Sequence, residues 1–347
     1  MIKPRKLQPG DTAAAISLSW GGPGTFPHRY EAGKRQLENE FGLKIIETAH
    51  ALRDAAWLHQ NPKARAEDLM NAFADPSVKA IISTIGGDDS IRILPYLDLD
   101  VISSNPKIFL GFSDSTITHM VCFKAELVSF YGPSIMAGFA ENGGMFPFTV
   151  DAVQKSLFSS APVGNLKPNT DGWTVETLDW GNPENQSRKR SLIPSTGWRF
   201  LQGKGIRQGH LIGGCLEVLD FLRGTDFWPE PESWHGAILF LETSEEAPPP
   251  NVLKYTLRSY SAMGILKNLS GILFGRPGGN IHPHKFKEYD EVLHSVMTGE
   301  EGLADLPIIT HMDFGHTDPM FVLPYGVRAE IDCDTQQVSI LENAVVD

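Results

Sequence analysis

Cysteine is scarce in this chain. Its 347 residues hold three, Cys122, Cys215 and Cys333, far apart and with no CxxC spacing. That excludes a disulfide framework and a cysteine-rich zinc site, and it fits a reducing compartment. Long apolar runs are missing too: no window of roughly 18 apolar residues occurs, so a transmembrane helix is excluded. Positive charge is in deficit, with 30 Lys plus Arg against 42 Asp plus Glu and a net charge of −12. Such a surface suits neither a nucleic-acid polymer nor an anionic membrane. No GxGxxG fingerprint is present, so dinucleotide binding has little support. Met1 to Lys6 is basic like the start of a signal peptide, but Gln8-Pro9-Gly10-Asp11 breaks the pattern and the apolar stretch Ala13 to Leu18 is too short. The expectation is no signal peptide and a cytoplasmic protein.

What is present is a chain able to bury a core. Hydrophobic residues make up 41% of it, and the length suggests two domains or one large one. The first half alternates short apolar runs with helical patterns. Strands are expected at Thr12–Ser17, Leu43–Glu47, Val78–Ile85 and Lys107–Leu110, and helices at His28–Phe41 and from Asn61-Pro62 to Ala74. Gly42 should cap the first helix, and Asn61 with Pro62 should open the second. Alternation of this kind implies an α/β fold with a mainly parallel sheet. From about Ser160 to Gly209, Pro, Gly, Asn, Trp and charged residues crowd together, as in a connection between domains. The domains expected are therefore 1–160, a connection over 161–209, and 210–347. In the last of these, helices are expected at Gly213–Arg223, Asn251–Met263 and Lys285–Met297. Strands are expected at Ala237–Leu241, Gly271–Phe274, Ile308–His311, Val327–Ile331 and Val338–Leu341.

The sharpest motif is Leu110-Gly111-Phe112-Ser113-Asp114-Ser115-Thr116, between an apolar strand and the helix-like run Ile117–Ala125. A serine on a tight strand-to-helix turn is exposed at the sheet edge, beside backbone N–H groups that can hold an oxyanion. The plain alternative is that Ser113 or Ser115 only caps the helix. A base is also needed, and His316, in the turn-rich Asp313-Phe314-Gly315-His316-Thr317-Asp318-Pro319, is the candidate, with His311 competing. An orienting carboxylate completes such a set. Glu242 is the first polar residue after the apolar run Ala237–Leu241, and Glu245 and Glu246 are alternatives. Gly86-Gly87-Asp88-Asp89 ends the third strand, and the Gly87 N–H could join that of Asp114 as oxyanion donors. The pairs His282/His284 and His311/Asp313 match no spaced zinc motif. No metal or other cofactor is expected.

Taken in order, six elements resemble the LD-carboxypeptidase family of serine peptidases, and within it the microcin C self-immunity branch. They are Leu7-x-Pro9-Gly10-Asp11, Ile85-Gly86-Gly87-Asp88-Asp89-Ser90, Gly111-Phe112-Ser113-Asp114, Gly213-Gly214-Cys215-Leu216, Leu239-Phe240-Leu241-Glu242 and Phe314-Gly315-His316-Thr317-Asp318-Pro319. The resemblance implies a Ser113–Glu242–His316 triad. It also implies an N-terminal flavodoxin-like parallel-sheet domain, a C-terminal swivelling β/α domain, a site between them and a cytoplasmic homodimer. Murein members release a terminal D-alanine from a tetrapeptide. The immunity branch cleaves the amide between an aspartyl group and a modified nucleotide, with an aromatic residue of the inter-domain loop on the base. The substrate expected is thus a small peptide or peptidyl-nucleotide, with Trp180 as the stacking candidate. A Trp that merely anchors the connection is the alternative. A two-lobed binding protein without chemistry would also fit the lobes.

Overall fold

The computed structural model describes residues 1–347. Two sheets organise it. The first runs, in spatial order, Leu323–Pro324, Phe130–Tyr131, Ile108–Gly111, Val78–Ser83, Thr12–Ile16 and Lys44–Glu47. The five N-terminal strands are parallel and follow the chain order 2-1-3-4-5. That is the flavodoxin-like arrangement, in which ligands lie beyond the carboxyl ends of the strands. Its inner strands are buried along nearly their whole length, as in Ile108–Gly111, because helices cover both faces of a parallel sheet, while the edge strand Lys44–Glu47 is largely exposed.

The second sheet is mixed and has eight strands, ordered Gly164–Leu166, Gln337–Ile340, Arg328–Asp332, Ile206–Cys215, Ile238–Glu242, Gly271–Gly275, Ile308–Met312 and Arg199–Gln202. Ile206–Cys215, Ile238–Glu242, Gly271–Gly275 and Ile308–Met312 are parallel. The two sheets exchange chain. Leu323–Pro324, late in the sequence, pairs antiparallel with Phe130–Tyr131. In the opposite sense, Gly164–Leu166 and Arg199–Gln202 edge the second sheet. Between the sheets Tyr131, Phe240 and Tyr325 pack together, with ring centroids 5.0 to 6.3 Å apart. No helix is long and apolar enough to cross a membrane.

Local expectations largely hold, with informative exceptions. Pro27–Phe41 is helical and ends at Gly42 in the left-handed conformation, φ 68°, which glycine adopts at least cost. Pro62–Ala74 is helical, but the Asn61 side chain does not cap it. Its Nδ2 donates backward to the Trp57 carbonyl, at the end of the helix Ala55–Gln60, an element without a clear apolar period. Gly213–Cys215 is not the start of a helix. These residues end the strand Ile206–Cys215, and the helix begins at Leu216. The reason is close approach: a Cβ on Gly213 would lie 1.7 Å from the Phe240 carbonyl oxygen. The helix expected over Lys285–Met297 is α-helical only at Phe286–His294 and then widens into a π-helical turn, Ser295–Glu300.

Candidate active site

Three strand ends meet where the sheets join. Ile108–Gly111 leads through Phe112 to Ser113, Ile238–Glu242 ends in Glu242, and Ile308–Met312 is followed by the loop that carries His316. Ser113 sits at φ 61°, a left-handed conformation that costs a non-glycine residue on the order of 1–2 kcal/mol. Its hydroxyl bonds to His316, and Ser115, the cap of the next helix, makes no side-chain capping bond. Gly111 is required by packing, since a Cβ there would meet Ser115 Oγ at 2.5 Å and Ser83 Cβ at 2.8 Å.

The side chains expected to meet do meet, although 203 positions separate the outer two. Ser113 Oγ lies 3.0 Å from His316 Nε2, and His316 Nδ1 lies 2.6 Å from Glu242 Oε2. Glu242 is fully buried, and the side chains of Ser113 and His316 are almost so. Nδ1 faces a carboxylate and so carries a proton, which leaves Nε2 as the nitrogen that can exchange a proton with Ser113. Burial by itself would lower the His316 pKa. The charge of Glu242, its hydrogen bond and the contact with Glu245 outweigh it and hold the imidazolium well above its ordinary range. Phe112 closes one side with its ring edge-on to His316 at 5.0 Å.

Of the competing residues, His311 faces Phe286 at 5.4 Å and Asp290 at 3.3 Å, not Ser113. Glu245 does reach His316, but at Nε2 and not at Nδ1. His282 and His284 pair with each other at the exposed surface. Cys215, Glu242 and His316 bring one possible metal-ligand atom each within 4.8 Å of one another. The carboxylate and imidazole are already bonded to each other, and burial first of all keeps the Cys215 thiol protonated, so this donor set fits a triad better than a cation.

Nothing in the sequence singled out Tyr131. Its hydroxyl donates to Glu242 Oε1 at 2.5 Å and accepts from the Ser113 N–H at 3.0 Å, so one side chain braces both ends of the triad. Burial, then the Glu242 charge, raises its pKa further, and the phenol remains a donor. A two-residue strand carries no period that could have flagged it. Gly86 also matters more than its motif suggested: a Cβ there would stand 3.0 Å from Ser113 Oγ and 3.5 Å from the Asp114 nitrogen. A Cβ on Gly87 would project the other way, against Ser19 and Trp20. The Asp114 carboxylate is buried and accepts from the Ser90 N–H at 2.9 Å, which fixes the turn behind the nucleophile.

Trp180 is half-buried. Arg29 covers one face, its guanidinium 4.1 Å from the ring centre, and Phe26 meets it edge-on at 6.0 Å. Phe26 in turn meets Trp20 at 6.1 Å, and the Trp20 backbone N–H donates to the Gly86 carbonyl at 3.2 Å. An aromatic row therefore leads from the glycine beside Ser113 to Trp180. Clefts of about 270 and 330 Å³ lie beside Phe321 and Lys124, and neither is lined by a triad residue.

Known proteins share this fold. The microcin C7 self-immunity protein MccF of Escherichia coli is 29% identical over 343 residues, 97% of this chain and 94% of that protein. The crystal structure of an MccF-like protein from Streptococcus pneumoniae in complex with AMP superposes with a TM-score of 0.86 at 31% identity. It covers 95% of this chain and 98% of its own. The structure of MccF in complex with aspartyl sulfamoyl adenosine gives a TM-score of 0.83 at 27% identity, over the whole of both chains. The LD-carboxypeptidase N-terminal domain model matches residues 14–132, and the LD-carboxypeptidase C-terminal domain model matches residues 208–331. With both of its characteristic domains matched in order, the chain belongs to the LD-carboxypeptidase family of peptidases.

Proposed function

We propose that this enzyme hydrolyses the amide between an aspartyl-type acyl group and a nucleotide, in the manner of a microcin C self-immunity protein, through an acyl-enzyme on Ser113. The observation that carries the reading is the continuous hydrogen-bonded chain Ser113–His316–Glu242. In the reaction His316 Nε2 takes the Ser113 proton as Oγ bonds to the acyl carbon. The carbonyl oxygen becomes an oxyanion, held by the backbone N–H groups of Asp114 and Gly87, each such donor contributing about 3 kcal/mol. Collapse breaks the C–N bond, and His316 returns the proton to the leaving nitrogen. A water then attacks the ester by the same proton route and frees Ser113. Glu242 holds the Nδ1 tautomer and favours the imidazolium that forms transiently.

The nucleotide half of the reading is supported by the relatives solved with AMP and with aspartyl sulfamoyl adenosine, and by the aromatic row ending at Trp180. Because Arg29 occupies one face of that indole, the base is expected on the other. The same proposal includes a cytoplasmic homodimer whose lobes divide near residues 160 and 210, which light scattering and limited proteolysis test.

The deciding experiment compares cleavage of aspartyl sulfamoyl adenosine with D-alanine release from a murein tetrapeptide, products being identified by mass spectrometry. The expected result is a kcat/KM at least about 100-fold higher for the nucleotide, and a Trp180→Ala variant with KM raised roughly 10-fold, the worth of one lost base stack. A preference for the tetrapeptide would make the enzyme a murein carboxypeptidase instead. Binding of the nucleotide with turnover of neither substrate would make it a binding protein.

A further inference from the structure

His316 Nε2 has two partners, not one. Ser113 Oγ lies 3.0 Å away, and so does Glu245 Oε2. The two contacts demand opposite protonation states. To activate Ser113, Nε2 must offer a lone pair to the hydroxyl proton. A carboxylate oxygen at the same distance from a bare lone pair would be acceptor against acceptor, so the Glu245 contact requires a proton on Nε2. Nδ1 already carries one toward Glu242. The arrangement therefore describes an imidazolium clamped between two carboxylates, and an imidazolium cannot serve as a base.

The segment that carries Glu245 is held at its root and free at its tip. Glu217 accepts from both the Ser244 N–H and its hydroxyl, at 3.0 and 2.5 Å. Thr243 Oγ1 accepts from the Gly278 N–H at 3.0 Å. Underneath, Gly278 and Gly279 form a bare shelf: a Cβ on the first would meet the Thr243 carbonyl at 2.2 Å and His316 Cβ at 2.8 Å, and one on the second the Glu245 carbonyl at 2.6 Å. The turn returns through Ala247 at φ 52°. The Glu245 side chain itself is 70% exposed, so its ion pair is solvent-screened and weak. It can swing aside without disturbing the fold. Glu242, fully buried and braced by Tyr131, cannot.

We propose that Glu245 is a positioning residue: it holds the resting imidazole with both nitrogens protonated and has to leave Nε2 before Ser113 can be activated. This rests on Ser113 and His316 acting as nucleophile and base. The groups facing His316 are Glu242 from its strand, Glu245 from the turn after it, Cys215 from the neighbouring strand end, and Ser113 with Phe112 from the first sheet. Tyr131 and Tyr325 stand behind Glu242, the one bonded to it and the other within reach of its charge. Cys215, Tyr131 and Tyr325 are all shifted upward, burial being the first cause, so they stay neutral. The two glutamates are then the groups that set the charge on His316, and Glu245 is the movable one.

The test is the rate of Ser113 labelling by a fluorophosphonate as a function of pH, for the wild type, Glu245→Gln and Glu245→Ala, with Ser113→Ala as blank. This probe carries no aspartyl or nucleotide group, so it is independent of the natural substrate. The wild-type rate should rise with pH as Nε2 loses its proton. In both variants that acid limb should move about one pH unit lower, giving roughly tenfold faster labelling below it and convergence with the wild type above it. Ring-nitrogen NMR of His316 as a function of pH should show Nε2 losing its proton about one pH unit lower in Glu245→Ala than in the wild type. An unmoved acid limb, or slower labelling at every pH, overturns the proposal. A wild-type chain that labels no faster than Ser113→Ala overturns the nucleophile assignment itself, and this proposal with it.

Discussion

Two buried histidines lie on either side of Tyr131 and behave oppositely. His119, on the helix after the nucleophile, is fully buried and bonds only neutral groups. Its Nδ1 is 2.9 Å from Ser129 Oγ and its Nε2 is 2.9 Å from the Gly111 carbonyl. It stacks on Tyr325, ring centres 4.7 Å apart. Burial pushes its pKa down to about 3. His316 is almost as deep, yet its pKa is raised, because burial is opposed there by Glu242 and Glu245. Depth alone therefore says nothing about a histidine's charge; the sign is set by whether a carboxylate shares the cavity. One ring is a permanent neutral brace under the nucleophile's strand, and the other is held in its charged form by the two carboxylates it faces.

Removing the nucleophile should have the largest effect. Ser113→Ala should lower kcat by about 10⁴- to 10⁶-fold, measured on amide cleavage, with an unchanged thermal midpoint. Next, Glu242→Gln makes the surroundings of His316 resemble those of His119. It should lower kcat/KM by on the order of 10⁴-fold and move the acid limb of the pH profile downward, whereas the same change at Glu246 should leave both within about twofold, since an exposed group away from the chain of bonds contributes little.

The third effect concerns stability. The depressed His119 contributes stability that is complete above its unfolded pKa near 6.5 and is lost as pH falls toward about 3, roughly 5 kcal/mol over the whole window. The raised His316 has the opposite sign: its contribution is full below about 6.5 and fades as pH climbs through its folded value. Urea titrations from about pH 3 to 8 should show His119→Gln flattening the acid side, while His316→Gln alters the alkaline side and, by releasing Glu245, removes the stability that this carboxylate's lowered pKa supplies above about 4.5. Identical curves for the two variants would break the comparison. The smallest effect is expected from Tyr131→Phe, which removes the hydroxyl between Glu242 and the Ser113 N–H. A lost bond to a charged group should cost about 10- to 100-fold in kcat, with KM nearly unchanged.

Much of the site was legible because it obeys local rules. Ser113 was marked by a strand, a glycine and a helix start within one short stretch, and Glu242 by being the first polar group after a buried run. The strap from Ser160 to Gly209 was legible only as composition. That Arg199–Gln202 edges the second sheet and that Arg29 covers Trp180 depend on partners far away along the chain. The helix misplaced at Gly213 has the same origin: Gly213 answers to the Phe240 backbone across the sheet, and Gly214 to Thr116 and Tyr325, not to their neighbours in the chain.

The class of fold, the family and the three residue types the chemistry needs can be read along the chain, since strand periods, turn glycines and motif order are properties of short stretches. Tertiary structure alone decided that Glu242 takes Nδ1 while Glu245 takes Nε2, that Tyr131 braces the pair, and that His119 is neutral where His316 is charged. Those outcomes turn on hydrogen bonds near 3 Å between residues brought together from separate sheets, and on how much water is excluded around them, which no linear spacing encodes.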